Sequence, residues 1–333
     1  VSPRADPRIP DVLFGWCHLH AVSHFLGTVA QVNYFLDTAT VTAFKAAWAV
    51  TGHLPDRTAQ SFFRRIADRA YKRNGSSVRQ MRKNYSRVQP EASAAQLDDL
   101  TRAGLRSYYR YWCDAFRLPS MSSAQILDSL TVIGSDHLLE PLSRGAGVLA
   151  IAPHSGNWDL TGAFAARSYR PVTTVAEKLE PRKLFDEFTK HRVKHGIKIL
   201  ATGDDGNLDC MSDQLDQGNI VALMGDRDIS RKGIPVDFFG SVAKLPAGPA
   251  LLSLRTGVPV YPTHMFYTNG KATTQFCEPL PMPSESLPLA DRVAALTQSI
   301  ADALATGIKD NLEHWHMMQP LWIDDLRVDG RRG

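Results

Sequence analysis

The amino-acid sequence predicts an α/β fold: a largely parallel central sheet flanked by helices, with a helical N-terminal extension. Two observations carry this reading. From Gly147 onward, short apolar strand-like runs alternate with helical segments, the pattern of parallel strands joined by crossover helices. Ahead of that point the periodicity is helical. A chain of 333 residues can bury a large core, and it shows neither an internal repeat nor a low-complexity linker. The economical division is therefore an extension over residues 1–60 and one α/β domain over residues 61–330.

Taken in order, residues 1–10 are rich in Pro and Arg and read as loose. Residues 12–50 are apolar and aromatic, with Phe14, Trp16, Phe25, Tyr34, Phe35, Phe44 and Trp48. His18, His20, His24, Gln31 and Asn33 interrupt them too often for a transmembrane span, and no signal-peptide cleavage pattern follows. One or two amphipathic helices are expected here, packed on the domain or lying in a membrane interface. The three histidines, at spacings of two and four, read as ordinary helix residues. Residues 60–74 and 80–88 carry Arg64, Arg65, Arg69, Lys72, Arg73, Arg79, Arg82, Lys83 and Arg87 at helical spacing. Between Ser61 and Arg117 thirteen Lys or Arg face five Asp or Glu, although the whole chain is only +4. Such a face is either plainly solvated or attracted to an anionic membrane surface; no nucleic-acid motif accompanies it. Residues 97–118 then form an aromatic helix, with Tyr108, Tyr109, Tyr111, Trp112 and Phe116 mostly in the core.

Strands are expected at 148–152, 172–176, 197–200, 220–224 and 258–267, and one more at 272–276. Helices are expected at 157–167, 182–195, 207–217, 247–256 and 290–308. The four cysteines, Cys17, Cys113, Cys210 and Cys277, have neither metal spacing nor pairing, which suits a reducing compartment. Gly145 to Ala150 loosely imitates a dinucleotide fingerprint but precedes a strand instead of following one.

The chemistry concentrates at Ala150 to Leu160, A-I-A-P-H-S-G-N-W-D-L. Pro153 ends a buried strand and a helix follows, so His154 and Asp159 flank a strand-to-helix turn. On one continuous helix they would point about 140° apart. With His154 in the turn and Asp159 in the first helical turns, the carboxylate would hold one imidazole nitrogen and leave the other as a base. No G-x-S-x-G elbow is present, so the nucleophile would be a substrate hydroxyl.

H-S-G-N-W-D after a strand resembles the signature of bacterial lysophospholipid and lipid A acyltransferases. The resemblance continues through T-V-A-E-K (Thr174 to Lys178), G-D-R-D (Gly225 to Asp228), V-D-F-F-G (Val236 to Gly240), L-P-A-G-P-A (Leu245 to Ala250) and E-H-W-H-M-M-Q-P-L-W (Glu313 to Trp322). It spans residues 60–327 and is closest to the actinobacterial phosphatidylinositol mannoside acyltransferases. It implies transfer of a long acyl chain, such as palmitoyl, from acyl-CoA to a mannose hydroxyl of a phosphatidylinositol mannoside. It also implies a peripheral position on the cytoplasmic face of the plasma membrane, with acyl-CoA as co-substrate and no other cofactor or metal.

The candidate catalytic residues are then His154, Asp159 and Asp226. The resemblance places Asp226 near the pair, although related glycolipid acyltransferases carry Glu there. The candidate substrate-binding residues are Glu177, Arg192, Arg227, Lys232 and Arg255, with Arg231 and Lys244 near the same edge as further partners for coenzyme A phosphates. Backbone N–H groups of Ser155 to Asn157 are candidate oxyanion donors, and Trp315 to Met318 read as packing behind the site. Two rivals stand beside this reading. His154, Asp159, Asp226 and Asp228 could bind a divalent metal for phosphoester hydrolysis, or the chain could be a catalytically inactive lipid-binding protein.

Overall fold

The computed structural model describes residues 29–178, 181–230 and 232–328, so the expectations for residues 1–28, including Cys17 and its three neighbouring histidines, lie outside the described residues. Five helices come first: α1 (Val29–His53), α2 (Asp56–Arg73), α3 (Ser76–Val88), α4 (Ala94–Arg117) and α5 (Ser123–Asp128). Both α4 and α5 open on a reciprocal serine–glutamine cap, Ser93 with Gln96 and Ser122 with Gln125. Then follow β1 (Leu130–Ile133), α6 (Asp136–Ser143), β2 (Val148–Ala152), α7 (Trp158–Ser168), β3 (Val172–Ala176), α8 (Arg182–Lys194), β4 (Ile197–Ala201), α9 (Asn207–Asp216) and β5 (Ile220–Met224). A hairpin of β6 (Ile234–Phe238) and β7 (Ser241–Leu245) leads to α10 (Gly248–Thr256), β8 (Val260–Thr268), β9 (Lys271–Phe276), α11 (Leu289–Asp310) and α12 (Ile323–Val328).

Seven strands form one sheet in the order β1-β9-β8-β2-β5-β3-β4. Every neighbouring pair is parallel except β8 with β9. The α/β expectation holds. All five residues of β2 are buried, as a central strand covered on both faces requires. Its period of two divides the core. Leu149 and Ile151, with Val221 and Leu223, join the cluster that contains Leu296, Ile300 and Leu304 of α11. Val148 and Ile220 join the cluster that contains Leu160 and Ala163 of α7.

Two features were not expected. Strand β1 is only four residues long and pairs at the sheet margin. The D-F-F-G block is the tip of a two-residue hairpin in which Phe239 (φ +56°) and Gly240 (φ +72°) both adopt the left-handed conformation.

The N-terminal helices are packed on the domain. Phe44 and Trp48 of α1 are buried, and Trp48 stacks edge-on against Phe188 of α8 with centroids 5.0 Å apart. Phe44 and Phe63 of α2 meet Phe116 of α4 at 5.6 and 6.0 Å. The division expected at residue 60 falls inside α2, and one aromatic cluster joins α1, α2, α4 and α8. No helix among the described residues is long and apolar enough to cross a membrane.

Glycine is required where the chain leaves β2. Gly156 has φ +56°, and an added Cβ would lie 2.6 Å from the carbonyl oxygen of Met265 in β8. Gly240, at φ +72°, has nothing within 4 Å of the same position. Both Gly156→Ala and Gly240→Ala incur the left-handed penalty of about 1–2 kcal/mol, and only Gly156→Ala adds an overpacking cost of about 1–3 kcal/mol. Thermal melts are expected to show the larger loss for Gly156→Ala; equal losses would contradict the close approach.

Candidate active site

The parallel register of β2 and β5 sets the site. Ala152 lies opposite Met224, and the Gly225 N–H continues the ladder to the Ala152 carbonyl at 2.9 Å. Counting two residues on from each strand end gives His154 and Asp226 side by side, at the carboxyl edge where parallel sheets place ligands. Asp226 Oδ1 lies 2.6 Å from His154 Nδ1, and Oδ2 accepts the His154 backbone N–H at 2.9 Å. The Trp315 indole N–H donates to the same Oδ2 at 2.8 Å. Asp226 has no solvent exposure. Burial pushes its carboxyl pKa up, but the His154 imidazole and the bonds from His154 and Trp315 outweigh burial and hold it below the ordinary value. An ionised carboxylate only accepts, so Nδ1 is the protonated nitrogen that faces Asp226 and Nε2 is the ring nitrogen left outside this contact.

The pairing of His154 with Asp159 is therefore corrected. Asp159 sits in the first turn of α7, which Asn157 caps by accepting the Leu160 N–H at 3.0 Å. Its carboxylate is fully engaged elsewhere: Arg192 of α8 reaches it through Nε at 2.6 Å and Nη2 at 3.1 Å, and Tyr111 donates its hydroxyl at 2.9 Å. Burial opposes the Arg192 charge, yet Asp159 outweighs it and raises the guanidinium pKa above its ordinary value. Buried Asp159 and half-buried Arg192 thus form an ion pair that braces α7 against α8 and α4.

His154 borders a cavity of about 150 Å³, whose wall includes Tyr108, Tyr111, Trp158, Arg227 and His316. The three charged residues of G-D-R-D point to three places. Asp226 turns inward to His154, Arg227 reaches the cavity, and Asp228 caps its own loop by accepting from the backbone of Ser230 and Gly233 at 2.9 and 2.7 Å. Glu177, just past β3, lies 3.4 Å from Arg227. Lys232 is exposed on the loop after Asp228. Arg255 pairs with Asp209 of α9 at 2.6 Å and does not line the cavity. Among the described residues no group of three or more His, Cys, Asp or Glu could hold a metal ion; Asp159 and Asp228, which the metal reading needs, are committed to Arg192 and to loop amides.

The C-terminal block is part of the site and not packing behind it. Ser155 and Trp315 form an antiparallel bridge, and the His316 N–H donates to the His154 carbonyl at 2.8 Å. Tyr85 holds the Trp315 carbonyl at 2.7 Å, and Asn84 holds those of Met317 and Gln319 at 2.9 and 3.0 Å. His316 lines the cavity with Nε2 3.0 Å from Ser107 Oγ, and burial keeps it neutral by driving its pKa well below the ordinary value. Two candidate oxyanion donors are occupied, one within the turn and one by the C-terminal block. The Ser155 N–H goes to the Pro153 carbonyl at 2.7 Å and the Gly156 N–H to that of His314 at 3.0 Å. Tyr111, Asn84, Tyr85 and the Trp315 donor carry no local signal, since each partner lies at least 48 residues away.

Removing one partner of a buried ion pair strands the other charge, at a cost of about 3–5 kcal/mol. Asp159→Ala is expected to lose stability on that scale in denaturant melts, and Asp159→Ala with Arg192→Met to recover much of it. A double variant as unstable as the sum of both singles would contradict the bracing role.

Known proteins resemble this chain over most of its length. A phosphatidylinositol mannoside acyltransferase of Mycolicibacterium smegmatis is 37% identical over 290 residues, which cover 86% of this chain and 93% of that protein. One of Mycobacterium tuberculosis is 36% identical over 298 residues, covering 88% and 92%. Residues 29–324 match the model of a family described as bacterial lipid A biosynthesis acyltransferase, and at that coverage the chain belongs to this acyltransferase family.

Proposed function

We propose that this chain moves a long acyl group, palmitoyl or similar, from acyl-CoA to a mannose hydroxyl of a phosphatidylinositol mannoside. The observation that carries the chemistry is the His154–Asp226 pair facing a cavity. Nε2 of His154 takes the proton of the acceptor hydroxyl, and Asp226 stabilises the imidazolium that forms. The oxygen attacks the thioester carbonyl, and the tetrahedral oxyanion collapses with departure of the coenzyme A thiolate, which the imidazolium protonates. The printed names of the relatives support the acceptor, and family membership supports acyl transfer. No cofactor beyond the acyl-CoA co-substrate enters the scheme.

Access to such a lipid calls for a position on the membrane surface, here the cytoplasmic face of the plasma membrane. Exposed Arg64, Arg65, Arg69 and Lys72 on α2, beside the exposed ring of Phe62, suit an anionic surface.

The decisive assay is release of free thiol from palmitoyl-CoA with and without phosphatidylinositol mannoside, the acylated glycolipid being identified by mass spectrometry. His154→Ala is expected to lose about 10²- to 10⁴-fold in acceptor-dependent rate. Asp226→Asn presents a carboxamide to donors and is expected to fall by up to about 10⁴-fold. Release that is independent of acceptor, or equal in wild type and His154→Ala, would remove the proposal. Charge reversal of Arg64, Arg65 and Lys72 together should weaken sedimentation with anionic vesicles by about 1 kcal/mol per residue; undiminished binding would place the contact elsewhere.

A further inference from the structure

The tetrahedral intermediate needs hydrogen-bond donors at its oxyanion, and two of the three candidate N–H groups in the turn after β2 are already engaged. The Ser155 and Gly156 N–H groups are both spent on backbone carbonyls, at 2.7 and 3.0 Å. The indole of Trp315 is bound to Asp226 and the hydroxyl of Tyr111 to Asp159. His316 is neutral, with Nε2 taken by Ser107. Arg227 is different. It is the cationic side chain of the cavity wall, one residue past Asp226, and it extends from the same strand end. Among the described residues its ion-pair partner is Glu177, at 3.4 Å, a long contact made through one of five guanidinium N–H donors. The register that sets Asp226 beside His154 also brings Arg227 to the cavity.

We infer that Arg227 is a catalytic residue: its guanidinium donates to the thioester oxygen as that oxygen becomes an oxyanion, with Glu177 positioning it. The inference rests on the acyl-CoA reading above. In the step it serves, the substrate oxygen bonds to the acyl carbon as its proton passes to His154, and the carbonyl electron pair moves onto oxygen opposite Arg227. That pair then returns, the C–S bond breaks, and the proton on His154 passes to sulfur. A fixed cation in a partly dry site is worth most where charge develops, so its effect belongs to the transition state and not to donor binding.

The test is steady-state thiol release from palmitoyl-CoA by wild type, Arg227→Met and Arg227→Lys, with phosphatidylinositol mannoside as acceptor. It is paired with calorimetric binding of S-hexadecyl-coenzyme A, a thioether without the carbonyl oxygen. Arg227→Met is expected to lose about 10²- to 10³-fold in kcat, with donor KM and thioether affinity unchanged and part of the rate restored in Arg227→Lys. Unchanged thioether binding also reports an intact fold. An unaltered kcat, or a loss matched by weaker thioether binding, would overturn the inference and leave Arg227 as a grip on the donor. Wild type that transfers from no thioester would overturn the acyl-CoA reading itself, and this inference with it.

Discussion

A single buried carboxylate holds the site together. Asp226 has no access to water and accepts from three protein groups: the ring and backbone of His154 and the indole of Trp315. An unpaired ionised carboxylate at such a position would be prohibitively costly. The three donors therefore stabilise its charge and are in turn fixed by it. The imidazole gains one tautomer and one orientation, and the turn after β2 gains a backbone anchor that a neutral side chain could not provide.

Two carboxylates stand beside the turn after β2, one from within the chain's next helix and one from across the sheet, and serve different ends. Asp226 faces the imidazole across the β2–β5 seam. Asp159 lies within α7 and is neutralised by a two-point contact with Arg192 plus the hydroxyl of Tyr111. In the proposed reaction the first balances a charge that appears only as the hydroxyl proton moves, whereas the second balances the standing charge of Arg192. Both are buried and both carry conventional partners, so burial and pairing alone do not separate a reacting carboxylate from a bracing one. The neighbour does.

Much of the fold was legible because buried parallel strands announce themselves as short apolar runs. Strands β2, β3 and β5 begin and end where the sequence places them, and His154 is singled out by its position after such a run. Along the chain the carboxylate nearest His154 is that of Asp159, which the fold gives to Arg192 instead. Five residues separate His154 from Asp159, whereas the partner the sheet selects is 72 residues away. No local pattern encodes the register that joins Ala152 to Met224. Strand β1, four residues at the margin, is too short to show a period. The hairpin tip uses Phe-Gly where Asn-Gly would have signalled a turn, and its phenylalanine has another task, packing against Phe238 and Trp315 at 4.6 and 6.4 Å. Trp315 was visible as part of a motif, but its donor role depends on a fold that returns the chain to its own first turn.

That return has a consequence in time. Asp226 and Trp315 are 89 residues apart, and at about 5–20 residues per second a ribosome needs roughly 4–18 s to bridge them. During that interval β2 and β5 can pair and Asp226 can meet His154, yet its remaining donor has not been synthesised, and the segment that closes the wall with His316 is absent as well. The last buried donor thus arrives well after Asp226 itself, so a nascent chain passes through a period with its reacting pair unfinished. An acyltransferase built this way completes its reacting pair only after the segment that carries Trp315 has been made.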